Sequence, residues 1–360
     1  MFSGGGTGGH LFPALAVADE LKRQRPAASI SFVGARRGLE RRLVPQAGYP
    51  LRLLRLSGFK GSGPLGKMAA AAAAGWALIR CLVWMLGSRP DLVLGVGGFA
   101  SGPAVLAARM LNVSTMVLEQ NHFPGATNRW LAPRVDAVCL PSEAARRRMG
   151  GRGIVTGNPV RPEFLQAGEA PGGEALMLLV FGGSRGARSI NRAMTDALPE
   201  LVRLEPAPFI VHQAGSEDEA SVRAAYRDYP EGRAEVLAFL DDMPARLAAA
   251  DLVVCRAGAM TLAELAAVGR AAILIPYPHA ADDHQRHNAE AVRECGAATV
   301  LLDEELDGNR LAACIAELAA DPERRQRMGR AARQLAVPDS AARIAEIALS
   351  LIESRGDVVS

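Results

Sequence analysis

The 360-residue chain is 49% hydrophobic, 22% charged and only 5% aromatic, the balance of a soluble globular protein with room for two cores. Its net charge of +3 conceals a split: residues 1–160 hold 20 Lys and Arg against 7 Asp and Glu, whereas residues 161–360 hold 21 against 31. The basic half suits an anionic partner, but its cations are not interleaved with aromatics, which argues against single-stranded nucleic acid, and five scattered cysteines without a C-x-x-C pair argue against disulfides or a thiolate metal site.

The chain opens with MFSGGGTGGHLFPALAVADEL (1–21), five glycines and a histidine ahead of an apolar run with helical spacing. Glycine this dense costs backbone entropy and needs a reason. Only Met1, Phe2 and Ser3 precede it, where a parallel strand runs about five or six residues. The expectation is that the native chain starts upstream and that the loop is weakly anchored as it stands. No secretory signal precedes the loop, which makes the cytoplasm the default.

SISFVGA (29–35), DLVLGVGG (91–98), STMVLEQN (114–121) and DAVCLPS (136–142) read as buried strands, each followed by a Gly, Pro or Asn turn and a helical stretch. That is the βαβ rhythm of a parallel sheet. Among them lies KMAAAAAAGWALIRCLVWMLGSRP (67–90). Arg80, near its middle, costs roughly 2.5–3.5 kcal/mol at a bilayer centre and makes it a poor transmembrane span. Two readings stay open. It is a buried Ala-rich core helix, or it lies in a membrane interface. In the second case Trp76, Ile79, Trp84 and Met85 dip in while Lys60, Lys67, Arg80 and Arg89 meet headgroups.

At GNPVRPEF (157–164) the rhythm stops, as at an interdomain connection. ALMLLVFGGSRGARSINRAM (175–194) then repeats the opening design of strand, Gly-Gly turn and helix. Further strands are expected at 209–215, 234–240, 251–258 and 271–278. The organisation is two successive Rossmann-like α/β domains, 1–160 and 161–340, and spacing alone leaves open whether a terminal helix about 341–360 packs back on the first.

A Gly-rich turn between strand and helix exposes backbone N–H groups and a positive helix end to a phosphate. Gly4–Gly9, GVGGFASGP (95–103) and GGSRGA (182–187) are three such turns. A dinucleotide dehydrogenase needs an acidic residue at the end of the second strand, where this chain has Arg36 and Arg37, and the P-loop pattern is absent. Thr261-x-x-Glu264 reads either as a capping box or as a carboxylate for the two hydroxyls of a ribose. His279, His284 and His287 with Asp282 and Asp283 fit no zinc spacing well. A helix start offering Gln285 and Asn288 to sugar hydroxyls accounts for them better. His10, at a helix start beside the first glycine turn, is suited to general-base work, against the alternative of a packed histidine.

Together GGGTGGH, GVGGFASGP, EQN, GNPVRP, FGGSRGARSIN, FLDDM, CRAGAMTLAEL and PHAADDHQRHNA resemble the MurG family of bacterial glycosyltransferases, in order from residue 4 to about residue 300. These enzymes add N-acetylglucosamine to lipid-linked N-acetylmuramoyl-pentapeptide. The resemblance implies a GT-B fold, two Rossmann-like domains with parallel sheets facing across a cleft. It implies that UDP-GlcNAc lies mostly against the second domain. There Glu264 takes the ribose hydroxyls, Leu240 the uracil edge, and Ser184 and Arg161 the diphosphate. Ala259, Met260, Thr261, Leu262 and Ala263 line the same pocket, and Gln285 with Asn288 reads the sugar. From the first domain Thr7, Gly8, Gly9 and Asn121 close over the sugar. Gly5, Gly6, Gly97, Gly98 and Ser101 cradle the acceptor pyrophosphate.

The implied chemistry is an inverting transfer to the muramoyl C4 hydroxyl of lipid I, with His10 as base and Glu119 as the rival base. No metal or other cofactor is expected to be obligatory. The implied setting is the cytoplasmic face of the bacterial inner membrane, with an anionic membrane surface and cell-wall synthesis or division proteins as partners. Ala257 departs from the serine common in the family, with little effect expected. Rival readings are another UDP-GlcNAc enzyme of the same fold, such as a sugar 2-epimerase or a glycolipid synthase, and a non-catalytic nucleotide-sugar binding module.

Overall fold

The computed structural model describes residues 1–6, 8–36, 38–56, 64–98, 100–166, 168, 173–183 and 185–359, with backbone alone at 64–67 and 356–359. Two compact units result, Met1–Arg161 with Val337–Ser360, and Pro162–Ala336.

The first unit runs β1 (Phe2–Ser3), α1 (Gly8–Gln24), β2 (Phe32–Ala35), α2 (Glu40–Gln46), β3 (Leu51–Leu54), α3 (Pro64–Gly87) and β4 (Leu92–Gly95). It continues α4 (Ser101–Met110), β5 (Ser114–Leu118), α5 (Ala126–Leu131), β6 (Ala137–Leu140), α6 (Glu143–Arg148) and β7 (Ile154–Val155). The second unit runs α7 (Pro162–Leu165), β8 (Met177–Phe181), α8 (Arg188–Leu201), β9 (Phe209–Gln213), α9 (Glu219–Ala225) and β10 (Ala234–Leu237). After it come α10 (Met243–Ala249), β11 (Leu252–Cys255), α11 (Ala259–Val268), β12 (Ala271–Leu274), α12 (His284–Glu294), β13 (Ala298–Val300), α13 (Gly308–Ala320) and α14 (Pro322–Gln334). The last helix, α15 (Ser340–Val359), returns to the first unit.

All strands pair in parallel, in the orders β3-β2-β1-β4-β5-β6-β7 and β10-β9-β8-β11-β12-β13. Parallel sheets are covered on both faces, so their central strands are apolar throughout. The two-residue period then divides each strand between two cores. Leu92 and Leu94 pack with Phe2, Leu11 and Val17 beneath α1, while Val93 packs with Ala77, Cys81 and Met85 of α3 and with α4. Ile344, Ala345 and Ala348 put α15 into the α1 core.

The two-residue β1 is held on both sides, Phe2 by Phe32 and Leu94, Ser3 by Val33 and Gly95. Sequence patterning passes over β3, β7 and β13, and all three are edge strands. Edge strands are short and need no continuous apolar run. LRLL in β3, with an arginine between leucines, is such a case.

Candidate functional site

In an open parallel sheet the crevice for ligands lies beyond the carboxyl ends of the strands where the strand order reverses. In the first unit that point is between β1 and β4, and the turns following these strands are Gly4–Gly9 and 95–103. The two turns touch. Gly98 has φ +77°, and a Cβ there would meet Gly5 O at 2.6 Å, while a Cβ on Gly4 would strike Gly97 O. Side chains are absent because the two backbones press together, and both turns are thereby held at one place. The first also has an anchor that sequence reading missed. The buried Glu40, first residue of α2, accepts Gly6 N–H at 2.9 Å and Ala35 N–H at 2.8 Å. The expectation of a weakly anchored loop is therefore corrected.

His10 lies in the first turn of α1, half-buried, its ring against Gly97. Its Nδ1 is 3.0 Å from Gln120 Oε1. Glu119, the rival base, is 1% exposed and already saturated. Its Oε1 accepts from Gln120 N, Asn121 N and Asn121 Nδ2, and its Oε2 from Gly125 N and Asn128 Nδ2, all at 2.8–3.1 Å. A carboxylate with five donors around it has no lone pair directed to a substrate proton. The structure makes Glu119 the clamp of the 119–128 loop, and removes it as a base. Asn121 is drawn into that clamp. Ser101 is corrected as well: it is fully buried at the start of α4, with its Oγ against Gly95, and lies beneath the turn instead of lining it. Gly8 and Gly9 form the opening of α1. Arg161 closes the first unit, its guanidinium 5.2 Å over the Phe12 ring. Thr7 lies outside the described residues.

In the second unit the strand order reverses between β8 and β11. Gly186, at φ +76°, presses on Ala214, and Gly215 presses back on Arg185, so the turn after β8 is fixed against the turn after β9. Ser184 lies outside the described residues. After β11, Gly258 is the N-cap of α11 with extended backbone and no side-chain cap. Thr261 is consequently inside the first turn and Glu264 in the second, which overturns the capping-box reading and leaves Glu264 as a half-buried carboxylate on the helix. Ala259, Met260, Leu262 and Ala263 make up the same opening turns, with Met260 and Leu262 buried. Leu240, after β10, is buried.

Gln285, half-buried in α12, accepts Tyr277 N–H at 3.0 Å with Oε1, so it would meet a sugar through its amide N–H groups. Asn288 is fully buried and donates to Ala257 O at 3.3 Å. It holds the turn between β11 and α11 and does not present its amide outward. His284 Nδ1 pairs with Ala281 O at 2.7 Å, and no group of three or more His, Cys, Asp and Glu that could hold a metal ion occurs among the described residues.

A second network missed in the sequence ties the strand ends together. Arg256 pairs with Asp303 and donates to Ser189 Oγ at 2.8 Å and to the carbonyls of Ile275 and Pro276 at 3.2 Å, and its guanidinium covers the Tyr277 ring. One guanidinium thus joins the turns after β11, β12 and β13 to α8.

On α3, Ala70, Ala77, Cys81 and Met85 are buried, and the last three enter the core shared with α4. Met85 is core, which corrects its interfacial placement. The opposite stripe is apolar and exposed: Trp76, 59% accessible, Ile79, Val83, and Leu86, 72% accessible, at helical spacing. Arg80 and Arg52 lie 5.1 and 5.6 Å from the ring centroid of a half-buried Trp84, and Arg89 donates to Leu111 O at 2.8 Å. Met68–Gly87 is long and apolar enough to cross a membrane by length and composition. Lys60 and the Lys67 side chain lie outside the described residues.

Models of the glycosyltransferase family 28 N-terminal and C-terminal domains match residues 1–140 and 177–344. A relative from Syntrophotalea carbinolica, named UDP-N-acetylglucosamine–N-acetylmuramyl-(pentapeptide) pyrophosphoryl-undecaprenol N-acetylglucosamine transferase, is 47% identical over 348 residues, 96% of this chain and 97% of its own. The crystal structure of Acinetobacter baumannii MurG superposes with a TM-score of 0.80 at 31% identity, covering 97% of this chain and 99% of that one. The chain belongs to the MurG family. A UDP-GlcNAc 2-epimerase from Neisseria meningitidis, with a TM-score of 0.67, 13% identity and coverage of 97% and 99%, shares with this MurG family member the fold alone. The paired parallel sheets of seven and six strands are thus the GT-B architecture of family 28. One signal for the missed Glu40 was present: Gly34 and Gly38 shortly ahead of it, at each of which a Cβ would clash with its side chain.

Proposed function

We infer that the chain transfers N-acetylglucosamine from UDP-GlcNAc to the C4 hydroxyl of the muramoyl sugar of lipid I, the undecaprenyl-linked muramoyl-pentapeptide, giving lipid II for peptidoglycan synthesis. The observation that carries this reading is a match along 96% of the chain to such a transferase, in a chain that sets glycine turns at the reversal point of both sheets. The second unit is the donor side, with Glu264 for the ribose and Gln285 for the sugar. The first unit is the acceptor side, with the paired glycine turns for the pyrophosphate and His10 as base. As the hydroxyl oxygen attacks the anomeric carbon from the face opposite UDP, its proton passes to His10. The bond to UDP breaks with its electron pair on the diphosphate, and the configuration inverts.

Helix N-termini and the Arg161 guanidinium oppose the charge that develops on the leaving diphosphate. On this reading no divalent cation is obligatory. The chain works on the cytoplasmic face of the plasma membrane as a peripheral protein, its exposed α3 stripe in the interface and its basic first half facing anionic headgroups. The test is transfer of labelled GlcNAc from UDP-GlcNAc to a short-chain lipid I analogue with EDTA present. Transfer is the expected result. Binding of UDP-GlcNAc without transfer overturns the assignment, and transfer that needs added Mg²⁺ or Mn²⁺ overturns the cation-free mechanism alone.

A further inference from the structure

We propose that Gln120 is a positioning residue that sets the tautomer of His10, keeping the ring proton on Nδ1 and leaving Nε2 as the basic nitrogen. The proposal rests on His10 acting as the base. Gln120 Nε2 lies 3.2 Å from Val96 O and 3.3 Å from Leu118 O, beyond β4 and at the end of β5. Carbonyl oxygens can only accept, so the amide must turn its NH2 to them and its Oε1 the other way. Oε1 then stands 3.0 Å from His10 Nδ1. An amide oxygen carries no hydrogen, so the proton of that hydrogen bond belongs to Nδ1. In a neutral imidazole the other nitrogen is then bare.

Gln120 cannot easily turn to reverse this. It is 1% exposed, so water does not compete for its amide. Its own N–H donates to Glu119 Oε1 at 3.0 Å and its carbonyl accepts from Asn158 Nδ2 at 2.8 Å. Gly97 leaves the ring its space: a Cβ there would stand 3.0 Å from His10 Cε1. The charged groups on the surrounding elements are Glu119, bound into its own loop, Glu40 beneath the glycine turn, and Arg161 over Phe12.

An acid in the position of Gln120 would also accept from Nδ1–H, but it has no NH2 for Val96 O and Leu118 O and would favour the imidazolium, which cannot accept a proton. The neutral amide orients the ring without that charge. In the reaction the acceptor O–H bond breaks and its proton goes to Nε2, the O–C1 bond forms, and the C1–O bond to UDP breaks with its electrons on the diphosphate. The resulting imidazolium still donates through Nδ1–H to Gln120, and it returns its extra proton to water after products leave.

The direct test is the 15N spectrum of histidine-labelled wild-type protein at alkaline pH, with His10→Ala to assign the signal. A protonated Nδ1 with a bare Nε2 is expected, and the opposite tautomer overturns the proposal. The second test is kcat/KM against pH. Gln120→Glu is expected to move the acidic limb up by roughly one to three pH units. Gln120→Leu leaves Val96 O and Leu118 O without their donor and is expected to melt a few degrees lower, to lower kcat at least about tenfold, and to retain KM for UDP-GlcNAc. An unmoved limb, or a fully active Gln120→Leu enzyme, overturns the proposal. Near-normal turnover of His10→Ala instead overturns the reading of His10 as base, and the spectrum of the wild type stands apart from that outcome.

Discussion

Glu40 accepts Gly6 N–H through Oε2 and Ala35 N–H through Oε1, so one buried carboxylate ties the first glycine turn to the end of β2. Glutamine at this position has one acceptor for two donors and turns an NH2 toward an N–H. An unmet buried donor costs about 1–3 kcal/mol. Glu40→Gln is expected to melt several degrees lower and to raise KM for a lipid I analogue. UDP-GlcNAc binding, measured by calorimetry, is expected to change less, because the ribose and sugar contacts proposed for Glu264 and Gln285 lie in the second unit. Equal losses on both substrates would refute the assignment.

A substitution at Glu119 distinguishes the two candidate bases. Glu119→Gln places an amide NH2 among five donors and is expected to loosen the 119–128 loop and to lower kcat. The shape of the kcat/KM profile against pH should remain that of the wild type. Were Glu119 the base, the substitution would abolish the acidic limb.

The two faces of α3 predict opposite phenotypes. Met85→Ala empties a core position and should cost about 2–5 kcal/mol of stability by denaturant titration, with vesicle binding kept where the protein is folded. Trp76→Ala and Leu86→Ala, on the exposed stripe, should leave the denaturant midpoint nearly unchanged. They should weaken flotation with anionic vesicles, as should added salt. Flotation indifferent to both would remove α3 from the membrane contact.

His212 offers an acid-sensitivity test in the second unit. It is fully buried between Tyr226 OH, 3.0 Å from Nδ1, and Asn191 Oδ1, 3.1 Å from Nε2, and burial lowers its pKa to about 4. The unfolded chain binds this proton near pH 6.5, so its contribution is complete above that pH. It is lost as the pH falls toward 4. The loss amounts to about 3 kcal/mol. Melting curves between pH 7 and 4 should show this decline, and His212→Gln should flatten it from a lower starting stability.

Much of this was legible in the chain itself. The βαβ rhythm, the central strands and the glycine turns are local signals, set by a two-residue period and by backbone angles that only glycine adopts cheaply. Tertiary structure decided which polar groups are already spoken for. His10 and Gln120 are 110 residues apart and meet because β1 and β5 both flank β4. Glu119 and Asn288, good candidates by residue type, turned out to be holding loops. Met85 and Trp76 look alike in an apolar helix, and only the seating of α3 on α4 put one in the core and the other in solvent. A sequence displays donors, acceptors and apolar surface, but whether each is satisfied internally depends on contacts across long chain separations, which the fold alone creates.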